Sequence, residues 1–110
     1  MVAERRSVLD GELREIARYF HALKDMLRLR ILVTLAESGE MTVTELARTL
    51  HVSQPLVSFH LRPLRVNGII QVRRAGRQAY CSVDLPEIKR RQAEFVEMLS
   101  EVAGSEHYNS

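Results

Sequence analysis

The sequence predicts a mainly α-helical fold with a small β-hairpin wing, a winged helix-turn-helix, and three observations carry that prediction. Two short amphipathic segments, Thr42–Leu50 and Ser53–Arg65, are joined only through His51-Val52-Ser53, the spacing of a helix-turn-helix over 42–65. Two segments with strand-like alternation, Ile69–Arg74 and Gln78–Val83, follow around Ala75-Gly76-Arg77 and make a wing over 69–83. The window from Leu46 to Val83 also contains no Asp or Glu, while Arg48, Arg62, Arg65, Arg73, Arg74 and Arg77 all lie inside it.

Each element has its own justification. Residues up to about Val8 read as frayed. Leu9, Leu13, Ile16, Ala17 and Phe20 then keep helical spacing, so a first amphipathic helix spans 9–23. Asp25 is a natural cap for a second helix, with Leu27, Ile31, Leu32 and Leu35 inward and Arg28 and Arg30 outward, until Ser38-Gly39-Glu40 stops it. Val43, Leu46, Ala47 and Leu50 form the apolar stripe of the third.

In the fourth helix, Val57, Leu61 and Leu64 fall at i, i+4, i+7 on one face, while Gln54, Pro55, Ser58, Phe59, Arg62 and Arg65 point elsewhere. Ser53 is its N-cap, and Pro55 is tolerated in the first turn. Pro63 conflicts with this plan, since an interior proline costs ~3 kcal/mol. The apolar repeat continues through Leu64, so one helix with a bend near Phe59–Pro63 is expected. Asn67-Gly68 ends it. In the wing, Ala79, Cys81 and Val83 share the inward face.

After the wing, Asp84 with Glu87 three residues on resembles a capping box, with Pro86 in the first turn of a helix over 85–103. Ile88, Gln92, Phe95, Leu99 and Val102 repeat there at 4-3-4-3 spacing. A lone winged helix has no core left for both terminal helices, so a homodimer is expected, with Leu13, Phe20, Phe95, Leu99 and Val102 at its seam. From Gly104 to Ser110 the chain is polar and expected to be disordered.

Composition sets the outer bounds. A chain of 110 residues, 45% hydrophobic and 27% charged, suits one domain, 1–110, without staples. No apolar run approaches the ~20 residues of a membrane span, and Met-Val-Ala-Glu-Arg-Arg lacks an apolar signal core. Cys81 is the only cysteine, which excludes an internal disulfide and suits a reducing compartment. The expectation is a cytoplasmic protein that meets no membrane.

The net charge of +2 is modest, but the acids sit at the two ends and the arginines in the middle. The positive segment coincides with the helix-turn-helix and wing, so double-stranded DNA is the expected partner. Ser53, Gln54, Pro55, Ser58, Phe59, Arg62 and Arg65 would enter the major groove, and Arg73, Arg74 and Arg77 would grip the flanking backbone. Phe59 has two readings, a ring packed on a thymine methyl or a ring folded back into the core. Two rival functions remain: a winged helix serving protein interaction, and a constitutive DNA-binding protein without a sensor.

Nothing points to catalysis. The chain has no nucleophile and base at a recognisable spacing, no phosphate-cradling glycine loop and no paired carboxylates in an apolar setting; Ser58 and His60 diverge on a helix. His21, His51, His60, His107 and Cys81 are not paired at ligand spacing, so no metal or other cofactor is expected. His60 reads as a packing residue and Cys81 as a small buried hydrophobe.

The strings Leu-Arg-Leu-Arg-Ile-Leu (27–32), Val-Ser-Gln-Pro-Leu-Val-Ser-Phe-His-Leu-Arg (52–62), Asn-Gly-Ile-Ile (67–70) and Gly-Arg-Gln-Ala-Tyr (76–80) resemble the ArsR/SmtB family of winged-helix repressors. That resemblance covers about Phe20 to Asp84. It implies a homodimer, an inverted-repeat operator, and repression relieved by a metal or another inducer. The sensor positions depart from it. Thr42-Val43-Thr44 stands where arsenic-sensing members carry cysteines, and hydroxyls are poor ligands for thiophilic ions. Asp84-Leu85-Pro86 and Glu94–Val102 hold none of the histidines that zinc-sensing members carry in the last helix. Met26 and Phe59 replace a proline and a histidine common in the family.

Overall fold

The computed structural model describes residues 2–104. In chain order these form α1 (Val2–Leu23), α2 (Met26–Ser38), β1 (Met41–Thr42), α3 (Val43–Leu50), α4 (Gln54–Val66), β2 (Ile70–Ala75), β3 (Gln78–Val83) and α5 (Leu85–Ala103). His107 and the disorder expected for the last residues lie outside the described residues.

The core sits where α2, α3 and α4 meet the sheet. Ile31 and Leu35 of α2, Leu46 and Ala47 of α3, and Val57, Leu61 and Leu64 of α4 are buried there, with Ile69, Ile70 and Cys81 beneath them. Leu27, Leu32, Val43 and Leu50 pack at its edge, half-buried. The apolar periodicity of these three helices therefore marks the faces that meet the core.

The caps explain where the helices begin and end. Asp25 accepts from the Leu27 and Arg28 amides at 2.9 and 3.1 Å and opens α2. Thr42 and Glu45 form a reciprocal capping box at α3: the Glu45 amide donates to Thr42 Oγ1 and the Thr42 amide donates to Glu45 Oε1, both at 3.1 Å. His51 leaves α3 in the left-handed region, φ 57°, so that Val52 can bond back to the Ala47 carbonyl at 3.0 Å. Gly68, φ 72°, does the same for α4, returning the Ile69 amide to the Leu64 carbonyl at 2.9 Å. That paired turn aims β2 away from the helix end.

Five expectations need correction. First, α1 starts at Val2, so residues before Val8 continue the helix instead of fraying. Second, α1 is not left wholly outside the core, since its Tyr19 and Ala22 are buried there. They lie on a different face from the Leu9–Phe20 stripe, of which Leu13, Ala17 and Phe20 are exposed and Leu9 and Ile16 half-buried. Third, Met41–Thr42 is a strand that pairs antiparallel with β3, Met41 opposite Cys81 and Thr42 opposite Tyr80. The hairpin thus becomes a three-stranded sheet in the order β1-β3-β2. Two residues are too short to show any period in a sequence.

Fourth, Ala75 pairs with Gln78, so the wing turn is Gly76-Arg77 alone, with Gly76 at φ 63°. Fifth, the capping box at α5 is only half made. Asp84 accepts from the Glu87 amide at 3.0 Å, but the Glu87 carboxylate turns to Arg90 and Arg91. Pro63 leaves the helical assignment unbroken. It lies within one turn of the end of α4, where the Asn67 amide and side chain both bond its carbonyl, at 3.1 and 2.8 Å.

Glu87 offers a pH test of the α5 anchor. Its hydrogen bond from Arg90, together with that from Arg91, holds its carboxyl down at about 2, against an ordinary value of 4.5. A depressed carboxyl stabilises the folded chain above its unfolded value and loses that contribution as pH falls towards the folded one. The stability gap between wild type and Glu87→Gln should therefore be full near neutrality and close between about pH 4.5 and 2. Urea midpoints across that range measure it. A gap that stays constant would show that Glu87 acts through packing instead of charge.

Helices α1 and α5 run antiparallel beside the core. The Gln92 amide donates to the Tyr19 hydroxyl at 3.1 Å, and the Phe20 and Phe95 rings meet edge to face at 5.1 Å. No described residue of α5 is buried. Leu13, Phe20, Leu99 and Val102 are exposed and Phe95 is half-buried.

Candidate nucleic-acid interface

Ser53 opens α4, its Oγ accepting the Leu56 amide at 3.2 Å. The three buried residues fix the rotation of this helix. Its other faces then present Gln54, Pro55, Ser58, Phe59, Arg62 and Arg65, all exposed. Phe59 is 67% exposed, its ring touching that of His60 edge-on at 5.2 Å. The reading in which this ring folds into the core is excluded.

Behind the exposed face, His60 is half-buried, and its Nδ1 accepts from Arg28 Nε at 3.1 Å. Asp25 lies 3.7 Å from the same nitrogen. Arg28 Nη1 also donates to the carbonyls of His21 and Ala22 at 3.3 and 3.5 Å. One guanidinium thus joins the end of α1, the start of α2 and the middle of α4. The sequence pattern turned Arg28 outward; its long side chain instead lies back along the molecule to reach these acceptors. No local spacing signals a partner thirty-two residues away.

The wing register separates its arginines. Arg73 stands opposite Tyr80 and Arg74 opposite Ala79, so the two side chains leave on different faces. Arg73 forms a two-point pair with Glu40, both bonds 2.9 Å, and its guanidinium lies 4.8 Å from the centre of the Tyr80 ring. That hydrogen bond lowers the Glu40 carboxyl and raises the guanidinium from their ordinary values. Arg74 joins Ser58, Arg62 and Arg65 at a groove between α4 and the sheet. Arg77 occupies the exposed turn at the tip.

Of the ten side chains singled out in the sequence for DNA, α4 carries Gln54, Pro55, Ser58, Phe59, Arg62 and Arg65, and Ser53 caps it. Arg74 borders the same groove, Arg77 marks the wing tip, and Arg73 is held on the far face by Glu40. Among the described residues, Arg62, Arg65, Arg74 and Arg77 make no ion pair, so their charge is open to an outside anion.

Cys81 forms part of the groove floor and is 2% exposed. Burial pushes its thiol up, with Arg65 pulling weakly the other way. Thr42 spends its hydroxyl on the α3 cap. Among the described residues, no three of His, Cys, Asp or Glu converge as a metal site.

Comparison with known proteins extends this picture. The family description "Bacterial regulatory protein, arsR family" matches residues 25–72. An arsenic resistance transcriptional regulator of Pseudomonas putida is 40% identical over 78 residues, 68% of this chain and 61% of that protein. Across that regulator, a cadmium resistance regulator homologue and an SmtB homologue, the matched stretch spans 52% to 63% of the relative's own length. Among solved structures, NolR of Sinorhizobium fredii superposes with a TM-score of 0.65 at 30% identity, covering 86% of this chain and 90% of that one. A homodimeric winged helix-turn-helix DNA-binding domain of Mycobacterium bovis gives a TM-score of 0.67 at 29% identity, covering 94% and 87%.

Proposed function

This chain belongs to the ArsR family of bacterial regulatory proteins, and from that premise we propose that it acts as a homodimeric transcriptional repressor in the cytoplasm. The two α4 helices read the halves of an inverted-repeat operator, about 34 Å apart along the duplex. The observation that carries this reading is the exposed face of α4, polar and aromatic, set beside Arg62, Arg65 and Arg74, which have no carboxylate partner among the described residues. None of the described helices is long and apolar enough to cross a membrane.

Roles follow from position. Gln54, in the first turn of α4, suits a two-point contact with adenine, and Arg62, two turns further on, suits guanine or a phosphate. The exposed Phe59 ring between them packs on a thymine methyl. Ser53 and Pro55 shape the entering end of the helix. Arg65, Arg74 and Arg77 hold phosphates, while Arg73, already paired, braces the wing and contributes less. The α1–α5 pair forms the seam, with Leu13, Phe20, Phe95, Leu99 and Val102 meeting their copies. This reading assigns no catalytic step and no bound metal.

The test is a gel shift on inverted-repeat fragments with competitor DNA. Gln54→Ala and Ser58→Ala should each lose ~1–3 kcal/mol for the operator, about 5- to 150-fold, with non-specific affinity nearly unchanged. Phe59→Ala should keep its melting temperature, the ring being exposed, and lose discrimination at one A·T pair. Equal losses on every sequence would take α4 out of base reading.

A further inference from the structure

We propose that the groove between α4 and the sheet binds a small organic anion with an apolar body, an alkyl or aryl carboxylate, and that this ligand competes with DNA for the arginines at its mouth. The competition rests on the DNA-binding reading; the site itself does not.

The groove has a volume of about 270 Å³, near the lower end for small-molecule sites. Its floor is apolar: Leu61 and Ile70 are buried, Val72 is half-buried, and Cys81 closes the bottom. Arg62 and Arg65 from α4 and Arg74 from β2 stand at the mouth, and among the described residues none of the three has a carboxylate partner. Three like charges around one opening repel each other, and an entering anion relieves that repulsion. A carboxylate also matches the two-point geometry of a guanidinium.

A phosphate of the DNA backbone would use the cations and leave the apolar floor empty. A carboxylate with a hydrocarbon tail uses both. It would occupy the side chains that the operator needs, so its release from the groove and DNA binding are linked without any change of fold. The ligand acts as an inducer by direct exclusion.

The decisive measurement is a chain-length series on the full-length protein without DNA. Calorimetry with acetate, butanoate, hexanoate and octanoate should show one site per chain. Affinity should tighten about two- to fourfold per added methylene until the groove is full. Octanoate should also slow alkylation of Cys81, the one cysteine, since the tail would lie over the thiol. Val43→Phe, which narrows the groove from the start of α3, should weaken octanoate at least tenfold.

Affinity independent of chain length, or inorganic phosphate binding as tightly as octanoate, would overturn the site. So would octanoate binding that leaves Cys81 alkylation unchanged, a readout that needs no variant to fold. Octanoate should lower operator affinity in proportion to its occupancy. Full occupancy with undiminished operator binding would overturn the competition. A clean chain-length series in a protein that binds no operator would uphold the site and sink the DNA reading.

Discussion

Leu99→Glu is expected to convert the proposed homodimer into a folded monomer and to cost most of its operator affinity. Leu99 is 51% exposed within one chain, so a glutamate there meets water in the isolated protomer and leaves its core untouched. At a dimer seam the same carboxylate would be desolvated without a partner, a cost of several kcal/mol. At ~1.4 kcal/mol per tenfold, about 4 kcal/mol weakens association by roughly 10³. Losing the second half-site removes a further gain of about 10²–10⁴ that comes from linking two binding events. Phe95→Glu is the harsher variant, because Phe95 is half-buried against Phe20 and its loss also loosens α5 from α1. Sedimentation decides: a Leu99→Glu dimer of normal stability would place the seam elsewhere.

Raising salt should weaken operator binding nearly as much. A dimer making about 6–8 phosphate contacts should show a log–log slope of about −5 to −7, a loss of roughly 10³–10⁴ between ~50 and ~200 mM. Arg77→Ala removes one contact per protomer, so the slope should flatten by about 2 and affinity fall alike for all sequences. A loss that depends on sequence would make Arg77 a reader of base edges. Arg73→Ala should change the slope less, since Glu40 already neutralises that guanidinium.

Much of this was legible in the sequence, for identifiable reasons. Helices α2, α3 and α4 each turn a stripe of three or four apolar residues, buried or half-buried, towards the core, and such stripes are local patterns. Asp25, Ser53 and Gly68 sit where capping chemistry requires them. The absence of acids between Leu46 and Val83 also exposed the basic face. What stayed hidden was non-local or too short. The Arg28–His60 bond and the Arg73–Glu40 pair span more than thirty residues each. The strand Met41–Thr42 has no period to detect. Tyr19 and Ala22, the α1 residues that enter the core, lie off its apolar stripe and so carry no periodic signal.

Thr42 leaves this protein little slack. The same residue closes the sheet, pairing with Tyr80, and starts α3 through its cap with Glu45. Inserting or deleting one residue there would pull the sheet register and the helix phase apart, since a strand alternates every residue and a helix turns about 100°. The sheet that carries the wing and the helix that follows Thr42 are therefore geared together. On the proposed DNA-binding role, a change in recognition would come from exchanging outward side chains on α4, one at a time, with the spacing of the scaffold held constant.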